Sequence, residues 1–325
     1  YYYNSEKEAK IRKVRNMKNE YINEFGNKII FKKIEFKERV RKIKDEMIKK
    51  QIDILLIASP ANQFYTTGYD GWSFYTPQMV IISINNEQPI WVGRAMDSVG
   101  AKFTSYLKKE NIIPYPDKYV ASKDRHPINY LSNIIKKRKW EKKRIGVEMD
   151  DYYYTAKWHS ILKKELPNAK FVDAFLLVNW IRMVKSTKEI EYMKEAGQIA
   201  NLAMKKTMSK VKPGIRQCDV IAELYKVTTG GTNKIGGTFT CKPPNAMVGK
   251  YCSAPHLSWT DDKLKKLYEI APLNKSHTEF GFVEPIKYFL KRLCVFLFIN
   301  IFKILLCASS KGMSVLGIIS SSFKM

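Results

Sequence analysis

Apolar positions change period several times along the chain, and each change outlines an element. From Phe31 to about Lys50 they recur every three or four residues among Lys, Arg, Glu and Asp, as on an amphipathic helix with a solvated face. Asp53-Ile-Leu-Leu-Ile-Ala-Ser59 is a short apolar run that predicts a buried strand. The Pro-, Asn- and Gly-rich stretch Pro60–Pro77 reads as a loop containing aromatics. Strands are predicted at Met79–Ile84 and Ile90–Gly93, joined by a hairpin turn at Asn85-Asn86. Helices over about 97–109, 127–138 and 151–165 and a strand at Arg144–Met149 complete the pattern. Such alternation predicts an α/β unit whose mostly parallel or mixed sheet is covered by helices.

A second unit is expected from Lys185. Ser186-Thr-Lys-Glu189 is a capping box, in which the Ser hydroxyl accepts from the third helical N–H and Glu189 reaches back. The helix it opens is expected to run to about Ser209, followed by a turn at Val211–Gly214. A further helix, Val220–Thr228, is expected with Asp219 as its cap. Two Gly-Gly pairs then lead into extended chain, which favours α+β architecture over another doubly wound unit. The expected division is a polar extension (1–30), an α/β domain (31–180), an α+β domain (185–286) and an atypical tail (287–325).

The charge changes this picture little. The chain of 325 residues carries 57 Lys and Arg against 31 Asp and Glu, a formal net charge of +26. The basic residues are mostly Lys, spread throughout and interleaved with acids, so solvated helix faces are expected and specific nucleic-acid binding is not. Five cysteines form no CxxC pair and no ligand cluster with the four histidines, so neither a structural zinc nor a disulfide framework is expected. No apolar stretch follows the N-terminus, and a reducing, cytoplasmic setting is expected. The absence of an initiator Met suggests a start inside a longer reading frame. In the tail, the apolar run Leu293–Ala308 is interrupted by Asn300 and Lys303 and falls short of the roughly 20 residues of a spanning helix, leaving membrane contact as a minor alternative.

Several stretches, in order, resemble the creatinase/prolidase (peptidase M24) family in its ectoine hydrolase form. They are Asn62–Gln78, Trp91–Asp97, Gly146–Asp150, Leu177–Ser186 with Glu189–Met193, Val211–Arg216, and Ser253–Trp259. The resemblance covers roughly 31–271. It implies a creatinase-like α/β N-terminal domain followed by an α+β pita-bread domain, and a homodimer in which one subunit's N-terminal domain borders its partner's active site. It implies hydrolysis of C–N bonds in a small amidine or peptide-like substrate. The likeness stops after Ala271, so the expected pita-bread domain is truncated, with the strands bearing its remaining carboxylates lacking and activity impaired.

His256, in an Ala-Pro-His turn, is the expected catalytic residue, because imidazole can both take a proton from water and deliver one to a nitrogen leaving group. Glu269 matches the carboxylate that the ectoine branch would use to hold an amidinium through paired charge-assisted hydrogen bonds; the other reading is a strand-edge glutamate. Trp72, Phe74 and Tyr75 form an aromatic cluster that either closes over a neighbouring subunit's pocket and holds a cationic group, or packs beneath its own loop. Ile270 and the segment Ala271–His277 stand where metallo members carry aspartates, so no metal and no cofactor is expected. His126, His159 and His277 receive no role. Rival readings are an inactive creatinase-like binding or dimerisation module, an Xaa-Pro peptidase homologue, and a membrane-associated protein anchored by Leu293–Ala308.

Overall fold

The computed structural model of the protein describes residues 20–238, 244 and 257–265. Two compact units meet at Val184 and Lys185. In the first, helix α1 (Lys33–Lys49) buries Phe36, Arg39, Val40, Ile43 and Met47, one face at helical spacing. It stops at Gln51, whose φ of 55° is left-handed, and the chain turns directly into strand β1 (Ile54–Ile57).

Six strands form one sheet in the order β4-β3-β2-β1-β5-β6: β2 is Met79–Ser83, β3 Ile90–Arg94, β4 Ile112–Tyr115, β5 Arg144–Val147 and β6 Lys170–Asp173. β2 pairs antiparallel with both neighbours, and the remaining pairs are parallel. Leu56 lies opposite Ile81 on one side and beside Val147 on the other. β1 and β2 are buried along their whole lengths, as strands covered on both faces must be. Helices α4 (Pro127–Lys137) and α5 (Ala156–Glu165) pack Ile128, Leu131, Ile135, Trp158 and Leu162 against one face.

Some boundaries differ from the sequence pattern. Residues 60–67 form helix α2 (Pro60–Thr67): Pro60 occupies its first turn, where no N–H is needed, and Gly68 closes it at φ 80°. The connection between β2 and β3 occupies the six residues 84–89 rather than two. Helix α3 (Ser98–Thr104) is shorter than its pattern, and α5 begins only after the Thr155 hydroxyl accepts from Trp158 N–H. The edge strands β4 and β6 and the short helix α6 (Leu177–Ile181) carry no clear period; Pro114 lies within β4, at an edge where a missing donor is tolerated.

In the second unit, α7 (Thr187–Lys210) opens with the expected box: Ser186 Oγ accepts from Glu189 N–H at 3.2 Å, and Glu189 Oε2 accepts from Ser186 N–H at 2.7 Å. Helix α8 (Gln217–Gly230) begins before Val220. Asp219 therefore lies inside its first turn and pairs with Arg216 at 2.7 Å instead of capping it. Ala200, Ala203 and Met204 of α7 pack on Ile221 and Leu224 of α8. Residues 260–264 are tied to the turn before α8 by backbone bonds such as Gly214 N–H to Leu264 O at 2.8 Å. Among the described residues no helix is long and apolar enough to cross a membrane; the run Leu293–Ala308 lies outside them.

Candidate functional site

Because β2 alone runs backward, the ends of β1, β3, β4, β5 and β6 and the start of β2 share one rim of the sheet. After β1 the chain builds outward on one side of it, and β5 then begins the other side. The rim between β1 and β5 is thus the point where the strand order reverses, the usual place for chemistry in open α/β sheets.

The aromatic loop, 68–78, hangs from this rim. Gly71 lies so close to the Tyr69 ring that a Cβ there would fall 2.2 Å from its hydroxyl oxygen, so only glycine fits. Tyr69 is buried, and Gln78 Nε2 donates both to its hydroxyl and to Asp97 Oδ2, each at 2.9 Å. Asp70 N–H donates to Thr104 Oγ1 at 3.1 Å, and Ser73 and Thr76 join their hydroxyls. Above these anchors the rings turn outward: Trp72 is 52% exposed, Phe74 80% and Tyr75 73%. Trp72 and Phe74 have centroids 6.1 Å apart, and the Trp72 indole N–H donates to the Tyr153 hydroxyl, which reaches over from the loop after β5. Beside them Arg94 pairs with Asp117 at 2.8 Å, which holds that exposed carboxyl below the ordinary range.

Where the strand order reverses, Glu148 follows β5 and is only 2% exposed. Its Oε2 accepts from the N–H groups of Ala58 and Ser59 at 2.8 and 2.9 Å, and its Oε1 from Asn62 Nδ2 at 2.6 Å. Ser59 makes no side-chain cap for α2, so Glu148 supplies the acceptor from across the sheet, where the helix N-terminus favours an anion. Asn62 Nδ2 also donates to Asn179 Oδ1 at 2.7 Å, and Asn62 Oδ1 accepts from Arg182 Nη1. Burial pushes the Glu148 carboxyl up to about 7, against the donors that favour its charge. Burial likewise raises Asp151, three residues on.

Of the residues expected to form a site, Trp72, Phe74 and Tyr75 lie together on one exposed loop. His256 and Glu269 lie outside the described residues. Trp259, three positions after His256, packs edge-on against Tyr225 at 6.1 Å. His126 caps α4 through its Nδ1, and His159 meets the Tyr154 hydroxyl at 2.9 Å; burial lowers both imidazoles. The family resemblance assigns no role to Asn62 or Glu148, although both lie in stretches that carry it. The signal of the Glu148 cluster is the carboxylate directly after an apolar strand, at Glu148, with Asp150 and Asp151 close behind. Among the described residues no three His, Cys, Asp or Glu side chains gather to hold a metal.

Comparison with known proteins matches residues 39–184 to the Creatinase/Prolidase N-terminal domain and 191–270 to Metallopeptidase family M24. The chain belongs to the creatinase/prolidase family. It is 43% identical over 234 residues to an uncharacterized hydrolase/peptidase of Sinorhizobium fredii, covering 72% of this chain and 60% of that protein. It is 39% identical over 257 residues to an ectoine hydrolase of Halomonas elongata, covering 76% and 64%. An Xaa-Pro dipeptidase from Bacillus anthracis superposes with a TM-score of 0.54 at 20% identity, over 71% of this chain and 58% of that one, a likeness of fold. This member of the creatinase/prolidase family thus joins an α/β N-terminal domain to an α+β pita-bread domain, and spans 60–64% of the length of these two relatives.

Proposed function

We propose that this chain belongs to a metal-free hydrolase that opens a C–N bond in a small cyclic amidine of the ectoine type. The observation that carries the reading is the exposed aromatic loop: three rings are held outward at the sheet rim by buried anchors, as suits a surface that meets a cationic ligand rather than its own core. Identity of 39% over 257 residues to an ectoine hydrolase supports the choice of substrate.

In this reading His256 takes a proton from water as its oxygen adds to the amidine carbon. It then delivers that proton to the nitrogen as the C–N bond breaks. Glu269 holds the amidinium. Trp72, Phe74 and Tyr75 of one subunit close over the pocket of a second copy, so the working form is a homodimer.

The test is incubation of the purified chain with ectoine, following loss of the ring by proton NMR, with parallel arms containing a chelator or an Xaa-Pro dipeptide. Ring opening that survives chelation and falls by at least about 100-fold in His256→Ala is expected. Absence of ring opening by the wild-type chain, or its persistence in His256→Ala, overturns the proposal. Dipeptide cleavage abolished by the chelator would replace it with a metal-dependent peptidase.

A further inference from the structure

Two loops meet above the point where the strand order reverses. The aromatic loop, 68–78, precedes β2, the segment 149–155 follows β5, and β1 lies between those two strands in the sheet. Across the end of β1 the Trp72 indole N–H donates to the Tyr153 hydroxyl. Among the described residues this is the only polar bond of the Trp72 side chain, and its one ring contact is with Phe74, tilted at 59°. The acceptor is much better fixed than the donor. Of the three successive tyrosines 152–154, Tyr152 is 99% exposed and Tyr154 is buried with its hydroxyl on His159, while Tyr153 is half-buried with its ring against the core cluster of the sheet. Tyr153 N–H donates to Asp151 Oδ1 at 2.9 Å, and the same carboxylate takes a bond from the Ser59 side chain just before α2. Tyr153 is thereby a fixed post, and Trp72 a half-exposed ring leaning on it.

We propose, resting on the cation-binding loop inferred above, that Tyr153 is a positioning residue: its hydroxyl holds the Trp72 indole in the one orientation that offers a ring face to the substrate's cationic group. Tyr153 acts through Trp72 and does not itself touch the substrate.

The physical reason lies in the ring's quadrupole. The edge that carries the N–H is positive and repels a cation, whereas the faces are negative and attract one. An exposed indole released from Tyr153 would turn among its staggered χ1 wells, and only some of those orientations present a face. The bond to Tyr153 ties the positive edge to an oxygen and fixes the face before the ligand arrives, so less freedom is lost on binding. Trp72 meets a charge that is present before the C–N bond breaks. Loss of its orientation therefore falls on KM and leaves kcat near the wild-type value.

The test uses the full chain labelled with nitrogen-15 at tryptophan, the Trp72 indole signal being the one lost in Trp72→Phe. Tyr153→Phe removes the acceptor and keeps the ring that packs on the core. In this variant the Trp72 signal should move and its N–H exchange with water about three- to tenfold faster, the worth of one hydrogen bond. KM for ectoine should rise about three- to tenfold, with kcat within about twofold of the wild type. In the Trp72→Phe background, which has no N–H to hold, Tyr153→Phe should leave KM within about twofold of Trp72→Phe alone. An unmoved Trp72 signal, an unchanged KM, or an equal rise in both backgrounds overturns the proposal. Should Tyr153→Phe fail to fold, the wild type decides: the Trp72 N–H should stay protected when ectoine is added, and loss of protection overturns the positioning role. If the wild type does not open ectoine, the reaction proposed above fails, and the comparison is made on the Trp72 shift induced by tetramethylammonium chloride. A half-saturating concentration about three- to tenfold higher in Tyr153→Phe then supports the positioning role; an equal one, or no shift in the wild type, overturns it.

Discussion

Gly68 ends α2 and launches the aromatic loop, and two separate penalties meet at it. Its φ of 80° is left-handed, which costs an L-residue about 1–2 kcal/mol. A Cβ added there would sit 2.8 Å from Phe36 Cζ and 3.1 Å from the Thr104 carbonyl oxygen. The Phe36 ring has nowhere to go, because it stacks on Tyr106 at 4.9 Å and meets the edge of Phe31 at 5.9 Å. Overpacking of this kind costs about 1–3 kcal/mol, so Gly68→Ala is expected to lose about 2–5 kcal/mol in all. Gly26 is the control: its φ is 79°, yet nothing lies within 4 Å of the position of a Cβ. Gly26→Ala should therefore lose only the backbone part, about 1–2 kcal/mol. With a urea slope near 2 kcal/mol/M, the midpoints should fall by about 1–2.5 M and about 0.5–1 M respectively, followed by tryptophan fluorescence. Equal shifts in the two variants would refute the packing argument, and a shift below about 0.5 M for Gly68→Ala would refute both parts.

Three further outcomes are expected. Ser186→Ala removes the α7 cap and should cost about 1 kcal/mol, read as faster amide exchange in residues 187–192 and not in 79–94. His126→Ala removes the acceptor for Ile128 N–H and should lower thermal stability by about 1 kcal/mol; retention of the wild-type melting temperature would deny the cap. Phe74→Ala changes an exposed ring and should leave stability within about 0.5 kcal/mol, while weakening ectoine turnover if the loop meets substrate; unchanged kcat/KM would remove Phe74 from the proposed site.

The strands and helices legible in the sequence are those whose burial is regular, on one face of a helix or on both faces of a central strand. α1 repeats its apolar face every three or four residues, β1 is apolar throughout, and β2 is apolar up to its last residue, Ser83. α2 was hidden because Pro60 and Gly68, ordinary loop punctuation, here serve as the first-turn and closing residues of a helix. β4 and β6 were hidden because edge strands are partly exposed and lack a full apolar pattern. Asp219 misled because an acidic residue near a helix start can lie before the first turn or within it, and its bond to Arg216 decides between them. The outward aromatic loop could be read as a cluster, though not as exposed rather than packed. Glu148 was invisible as a buried acid because its partners lie 86–90 and more residues away in the chain.

The reversed strand β2 has a consequence for how such a domain can diversify. It brings the entry of one strand and the exits of five others to a single rim, and leaves the opposite rim to short connections that hold the register. Insertions, deletions and exchanges confined to 68–78, 95–97 or 149–155 would alter only that rim, without sliding any strand past its neighbour. A designer wishing to graft a new recognition loop onto this scaffold should cut there and keep Gly68 as the hinge post.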